Sequence, residues 1–134
     1  MQDRWKGYYE PHARKAAGMG KTVAQVLDAE WYDSVGVFER LLLPKLVPGS
    51  RVLEIACGVG NLARLVAPRC AELCCADILE EALAEARRTL GGVSNVTFHR
   101  LSGYDLAGLP SDHFDLVYSF TSFFHFDFEL VVPG

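Results

Sequence analysis

Apolar residues cluster in short runs along much of the chain, and helix-forming segments lie between the first three runs. The runs that we predict as strands are residues 51–56, 73–76, 96–99 and 114–119. Strands that are apolar on both faces and that alternate with helices are typical of a parallel sheet with helices on both faces. The pattern therefore predicts an α/β fold.

Two helices are expected between these strands. Residues 61–68 place Leu62, Leu65 and Val66 on one face of a helix. Residues 80–90 are rich in alanine, glutamate and arginine, which are good helix formers. The glycine pair that follows should end this second helix.

A helical extension is predicted before the first strand. Residues 21–46 show helical spacing of apolar positions, and Asp33 and Ser34 are candidate caps for a helix that starts near Val35. We expect one domain, in which residues 1–46 form the helical N-terminal extension and residues 50–134 form the core.

Composition narrows the functional class. The chain has 134 residues and a formal net charge of −4, so it offers no overall basic character for nucleic acid. We find no apolar run long enough to span a membrane and no apolar leader, so we expect a cytoplasmic protein with no membrane partner. Metal-ligand spacing such as C-x-x-C is missing, which favours reduced core thiols over a zinc site for Cys57, Cys70, Cys74 and Cys75.

The strongest chemical signal surrounds the first strand. Gly58 and Gly60 follow that strand, where glycine lets the backbone approach a ligand closely. Glu54 is a carboxylate inside an otherwise apolar strand and needs a partner, such as the amino group of a ligand. Asp77 ends the second strand, where a doubly wound fold places the acid that binds a ribose diol. Asp77 could also cap the helix that begins near Leu79.

These segments together resemble the motifs of class I S-adenosylmethionine-dependent methyltransferases. Residues 52–60 are similar to the first motif, E-x-G-x-G-x-G, with Ala56 in place of the first glycine. Residues 75–78 resemble the acidic second motif, and residues 114–119 resemble the fourth strand. The resemblance implies a Rossmann-like fold, of which this chain holds strands one to four of seven.

The resemblance also implies a role for each matched residue. S-adenosyl-L-methionine would be the cofactor, with its methionine end over the loop from Gly58 to Gly60. Asp77 would bind the ribose, Ile78 and Leu106 would flank the adenine, and Asp105 would accept a hydrogen bond from the adenine amino group. Further site residues that the resemblance implies are Glu54 and Ala56 in the first motif and Ser119 and Phe120 beside the methyl group.

Methyl transfer from a sulfonium needs alignment and exclusion of water rather than a covalent intermediate. His125, in an aromatic patch, is the candidate base for a hydroxyl or amine acceptor. Aromatic residues near the N-terminus are candidates for a lid over the acceptor, namely Trp5, Tyr8, Tyr9 and His12. We expect the acceptor to be a small molecule.

Two alternatives to a methyltransferase stay open. The spacing Gly58-x-Gly60-x-x-Ala63 also fits the fingerprint of an NAD-type oxidoreductase domain. A non-catalytic module that binds S-adenosylmethionine is the other alternative. With strand four as an exposed apolar edge, we further expect a truncated protein or one that self-associates.

Overall fold

A parallel four-stranded sheet forms the centre of the protein in the computed structural model, which describes residues 10–11, 14–20 and 33–120. The strand order across the sheet is β3-β2-β1-β4. The four strands are β1 (Arg51–Ile55), β2 (Glu72–Asp77), β3 (Val96–Arg100) and β4 (Leu116–Tyr118). All three pairings are parallel, so the predicted α/β fold is confirmed.

Helices connect the strands where the sequence predicted them. Residues 14–19 are helical, and a second helical segment precedes the sheet. It consists of α1 (Ser34–Val37), a π-helical turn (Phe38–Leu42) and a 3-10 turn (Leu43–Lys45). The crossovers contain α2 (Ala63–Val66), which continues as a 3-10 turn (Ala67–Arg69), and α3 (Glu80–Leu90).

Of the two candidate caps, Asp33 caps α1 and Ser34 is the first residue of that helix, and the predicted end of α3 is confirmed. The side chain of Asp33 accepts a hydrogen bond from the N–H of Gly36 at 3.1 Å, and it therefore caps α1. Gly91 follows α3 in the left-handed conformation, with φ of 42°. The helix predicted over residues 61–68 is shorter and tightens into a 3-10 turn that contains Pro68.

The two faces of the sheet are covered differently in the part of the chain that the structure describes. On one face, α1, α2 and α3 pack over side chains such as Val52, Leu73 and Cys75, which are at most 1% exposed. On the other face, Leu53 and Cys74 pack with Leu101 and with the long connection between β3 and β4. The helices described here thus lie on one face, and loop residues cover part of the other.

Strand β4 pairs with β1 and has no second neighbour among the described residues. Its register sets Leu53 opposite Val117 and Glu54 opposite Tyr118. Val117 is 51% exposed. Across the described ranges 10–11, 14–20 and 33–120, no helix has the length and apolar character needed to cross a bilayer.

Candidate functional site

The connection from β1 to α2 has three residues in the left-handed backbone region. They are Ala56, Gly58 and Gly60, with φ of 60°, 57° and 89°. A side-chain carbon added at Gly58 would meet no atom of the described residues within 4 Å, so this part of the loop is open within the described structure. A carbon added at Gly60 would lie 3.4 Å from Cα of Ala86, so α3 packs closely behind the loop. The loop is therefore open on one side and supported on the other.

Asp77 holds this loop in place. Its carboxylate accepts hydrogen bonds from the N–H of Gly58 at 2.8 Å and from the N–H of Leu79 at 3.0 Å. Asp77 is thus adjacent to the glycine loop, as the sequence predicted, and its bond to Leu79 fixes the turn just before α3, whose N-cap residue is Leu79. Burial raises the pKa of Asp77 above its usual value, and the backbone donors partly oppose this effect.

Glu54 is the penultimate residue of β1, just before the loop. Its side chain is 3% exposed, and its Oε1 atom has no hydrogen-bond partner among the described residues. Burial raises the pKa of Glu54 from 4.5 to about 8; the neighbouring Tyr118 lowers it, and the charge of Asp77 raises it. The free protein therefore keeps a largely protonated carboxyl group at this position near pH 7.

Tyr118 is a residue of this site that the sequence analysis did not select. It stands opposite Glu54 in the pairing of β1 with β4, and its hydroxyl group is buried without a partner in the described structure. Burial and the nearby Glu54 raise the pKa of Tyr118 well above its usual value. In the sequence, the hydroxyl group of Tyr118 within an apolar strand was a signal for a buried polar group. The sequence did not show that this group would face Glu54.

Cys57 and Cys75 lie beside the same group of residues. The hydrogen bond with Cys75, together with burial, raises the pKa of the Cys57 thiol well above its usual value. Such thiols are poor nucleophiles. All four cysteines are unpaired, and no group of three candidate metal ligands is found among residues 10–11, 14–20 and 33–120.

Ser119 joins the ends of the two central strands, because its hydroxyl group donates to the carbonyl of Ile55 at 2.8 Å. Ile78 follows β2 directly and is 7% exposed, packed with Leu101 and its neighbours in the core of the second face. Ser119 therefore lies at the carboxyl ends of β1 and β4, where the sequence placed it. Ile78 is largely enclosed by the protein itself.

Asp105 and Leu106 lie in the loop that follows β3. The Oδ1 atom of Asp105 accepts hydrogen bonds from Ser102 at 3.2 Å and from the N–H of Ala107 at 3.1 Å, so the carboxylate is turned into its own loop. Leu106 is 47% exposed and, with Leu53, lines a cavity of about 360 Å³ on the second face of the sheet. The structure thus brings Glu54, Asp77 and the glycine loop together. Leu106 lines the cavity on the second face of the sheet and is not part of this group.

Several other sequence predictions lie outside the described residues. These are the candidate base His125 and the N-terminal aromatic residues Trp5, Tyr8, Tyr9 and His12.

A β3-β2-β1-β4 order, with a glycine loop after β1 and an acid at the end of β2, defines a Rossmann-like class of nucleoside-binding folds. The comparisons with known proteins agree and are more specific. The family described as "Methyltransferase domain" matches residues 52–132, so the chain belongs to this family. The predicted class I methyltransferase fold is confirmed, and S-adenosylmethionine is the cofactor on which the family depends.

Solved methyltransferase structures share this fold. The YcgJ protein of Bacillus subtilis is 27% identical, with a TM-score of 0.60 over 70% of this chain and 40% of that protein. A phosphoethanolamine N-methyltransferase of Haemonchus contortus is 16% identical, with a TM-score of 0.65 over 88% of this chain and 25% of that protein. A SAM-dependent methyltransferase of Aquifex aeolicus is 19% identical, with a TM-score of 0.56 over 69% of this chain and 50% of that protein.

The chain spans between 25% and 50% of the lengths of these three proteins. No curated protein matches it.

Proposed function

We propose that the protein binds S-adenosylmethionine at the carboxyl ends of β1 and β2 and transfers its methyl group to a small-molecule acceptor. The observation that carries this proposal is the hydrogen bond between Asp77 and the N–H of Gly58, beside a loop that is open within the described structure. The Asp77 carboxylate and the backbone of the glycine loop can therefore contact the same nucleoside. Family membership favours methyl transfer over the chemistry of an NAD-type oxidoreductase.

The residues present fit this cofactor. Each oxygen of the Asp77 carboxylate has used one lone pair on a backbone N–H and can accept another hydrogen bond from a ribose hydroxyl. Glu54 supplies a buried carboxyl oxygen that has no partner within the described part of the chain, which suits the ammonium group at the methionine end. A side chain at Gly58 would occupy the space into which the cofactor must fit.

The cofactor supplies an activated methyl group, and the protein has to orient the acceptor and exclude water. Ser119 is proposed to border the methyl group where the acceptor approaches. The hydrogen bond from its hydroxyl group to the carbonyl of Ile55 fixes the end of β4. His125 is proposed as the base that removes a proton from a hydroxyl or amine acceptor.

The proposal of a small acceptor rests on charge. A net charge of −4 makes a polyanionic acceptor such as nucleic acid unfavourable. The four unpaired cysteines support a reducing compartment, and we therefore propose a cytoplasmic location.

Calorimetric titration with S-adenosylhomocysteine and, separately, with NADH tests the choice of cofactor. We expect binding of S-adenosylhomocysteine only. Binding of NADH without binding of S-adenosylhomocysteine would favour the oxidoreductase alternative and contradict the proposal.

A pair of variants on β2 tests the role of Asp77. Asp77→Asn should weaken S-adenosylhomocysteine binding by about tenfold to a hundredfold, the usual cost of a lost hydrogen bond to a charged group, about 1.5–3 kcal/mol. Glu72→Gln makes the same chemical change at the opposite end of the strand and should leave affinity unchanged. Equal affinities for both variants would argue against a ribose contact.

A ligand-side change separates a direct contact from an effect on the loop. The 2′-deoxy analogue of S-adenosylhomocysteine should bind the wild-type protein more weakly, but it should lose little further affinity in Asp77→Asn, because the two changes remove the same contact. Additive losses would mean that Asp77 acts only through the loop.

Transfer itself is tested by incubating the protein with methyl-labelled cofactor and a panel of small hydroxyl, amine and carbon acceptors. Transfer of the labelled methyl group to an acceptor would support the proposed methyltransferase activity. Tight cofactor binding with no transfer to any acceptor would support the non-catalytic binding module instead.

A further inference from the structure

Two buried polar groups in the same site have no hydrogen-bond partner among residues 10–11, 14–20 and 33–120, and they stand next to each other. They are Oε1 of Glu54 and the hydroxyl group of Tyr118, which lie on neighbouring strands at paired positions of the sheet. Side chains at paired positions of adjacent strands point to the same face, so these two groups are directed into one volume. Buried polar groups in native proteins are nearly always satisfied. Two unsatisfied groups in one place therefore require a common explanation.

We infer that Tyr118 is a positioning residue for Glu54: its hydroxyl group donates a hydrogen bond to the Glu54 carboxylate and holds it in the orientation that receives the ammonium group of the bound cofactor. This inference rests on the proposed cofactor site. It goes beyond that proposal because it assigns a role to Tyr118 and couples the binding of the cofactor to the loss of a proton.

The surroundings of Glu54 determine when the proton leaves. The titratable groups that face it are Cys75 and Asp77 from β2, Cys57 from the loop and Tyr118 from β4. None of these groups is a cation, so nothing described around the free site stabilises a negative charge on Glu54 except the Tyr118 hydroxyl. Burial raises the pKa of Glu54 to about 8, and the hydroxyl opposes that rise.

Arrival of an ammonium group changes this balance. The positive charge favours the carboxylate form of Glu54, and the proton is released to the solvent. In the free wild-type protein, Glu54 carries about 0.9 proton at pH 7 and about half a proton at pH 8, from a pKa of about 8. Binding should release corresponding amounts. Without the hydroxyl, the pKa of Glu54 rises further, so more than half a proton should be released at pH 8.

The experiment counts protons released on binding of S-adenosylhomocysteine, by calorimetry in buffers of different ionisation enthalpy. The wild-type protein should release about 0.9 proton at pH 7 and about half at pH 8. Tyr118→Phe should bind more weakly and release more protons than the wild-type protein at pH 8, that is, more than half a proton. Any proton taken up by the ligand's own amino group is the same for both proteins, so the difference between them reports on Glu54.

Two control variants assign the effect. Glu54→Gln should abolish the release. Tyr104→Phe removes a hydroxyl group from a tyrosine that is 73% exposed, and its proton count should equal that of the wild-type protein. A purely structural role of Tyr118 would weaken binding without changing the proton count at pH 8, and that result would overturn the inference.

Two further outcomes are distinguishable. If wild-type protein binds no S-adenosylhomocysteine, the proposed function fails and the inference fails with it. If it binds with no proton release at pH 7, the proposed function stands and the inference alone is wrong. Should Tyr118→Phe not fold, NMR of wild-type protein decides: a slowly exchanging Tyr118 hydroxyl proton in the complex supports the hydrogen bond, and a freely exchanging one refutes it.

Discussion

Replacing Ala56 with glycine should stabilise the protein. Ala56 occupies the place of the first glycine of the family motif and has φ of 60°, in the left-handed region. That conformation costs a residue with a side chain about 1–2 kcal/mol. Glycine removes this cost but adds about 0.4–1 kcal/mol of entropy to the unfolded chain. The net gain in the free energy of unfolding should be about 0.5–1 kcal/mol.

Thermal and urea denaturation measure this gain. For a chain of 134 residues, it corresponds to a rise in Tm of about 2–4 °C. Ala84→Gly is the matched control, because Ala84 lies within α3, where glycine is less favourable than alanine by about 1 kcal/mol. The same substitution should therefore stabilise at residue 56 and destabilise at residue 84. If Ala56→Gly lowers Tm as Ala84→Gly does, residue 56 does not have a left-handed backbone and the strain argument is wrong.

Two further predictions concern buried charge and the sheet edge. The raised pKa of Glu54 contributes stability that is fully present below about pH 4.5 and is lost as the pH rises toward about 8. Glu54→Gln lacks this dependence. Its free energy of unfolding in urea, relative to that of the wild-type protein, should therefore increase by about 1.4 kcal/mol per pH unit from pH 5 to 8. A difference that does not change with pH would contradict the raised pKa. We expect the protein to self-associate through β4 and to elute earlier in size exclusion as its concentration rises; Val117→Lys should abolish this dependence, whereas Val93→Lys, at a residue outside β4 that is 41% exposed, should not. Wild-type protein that elutes as a monomer at all concentrations would refute the expected association.

The order and type of the secondary elements were predictable because the signals are local. The boundaries of α3, for example, are those expected from its composition and from the glycine pair that follows it. Boundaries that depend on tertiary pairing were less accurate. The run 114–119 forms only the strand Leu116–Tyr118, and Asp115, just before it, is hydrogen-bonded to Arg51 at the start of β1.

The site divides in the same way. The meeting of Gly58 with Asp77 was predictable, because the carboxyl ends of neighbouring parallel strands lie at one edge of a sheet. The meeting of Glu54 with Tyr118 was not, because it depends on the register between β1 and β4, which no local pattern encodes. The role of Asp105 toward the adenine stays a prediction: its Oδ1 atom accepts two hydrogen bonds within its own loop, a local arrangement that the sequence did not indicate.

The close approach of Gly60 to Ala86 has a consequence for how this chain tolerates change. A methyl group on Gly60 would lie 3.4 Å from Cα of Ala86, and the backbone there has φ of 89°. Residues far apart in the sequence thus share one small volume. A methyl group would only just fit there, so in a library randomised at both positions we expect glycine to be favoured at residue 60, where φ is positive, and small side chains at residue 86. A bulkier residue at position 86 would press on the loop from behind, so substitutions on this helix should alter ligand affinity without touching the ligand.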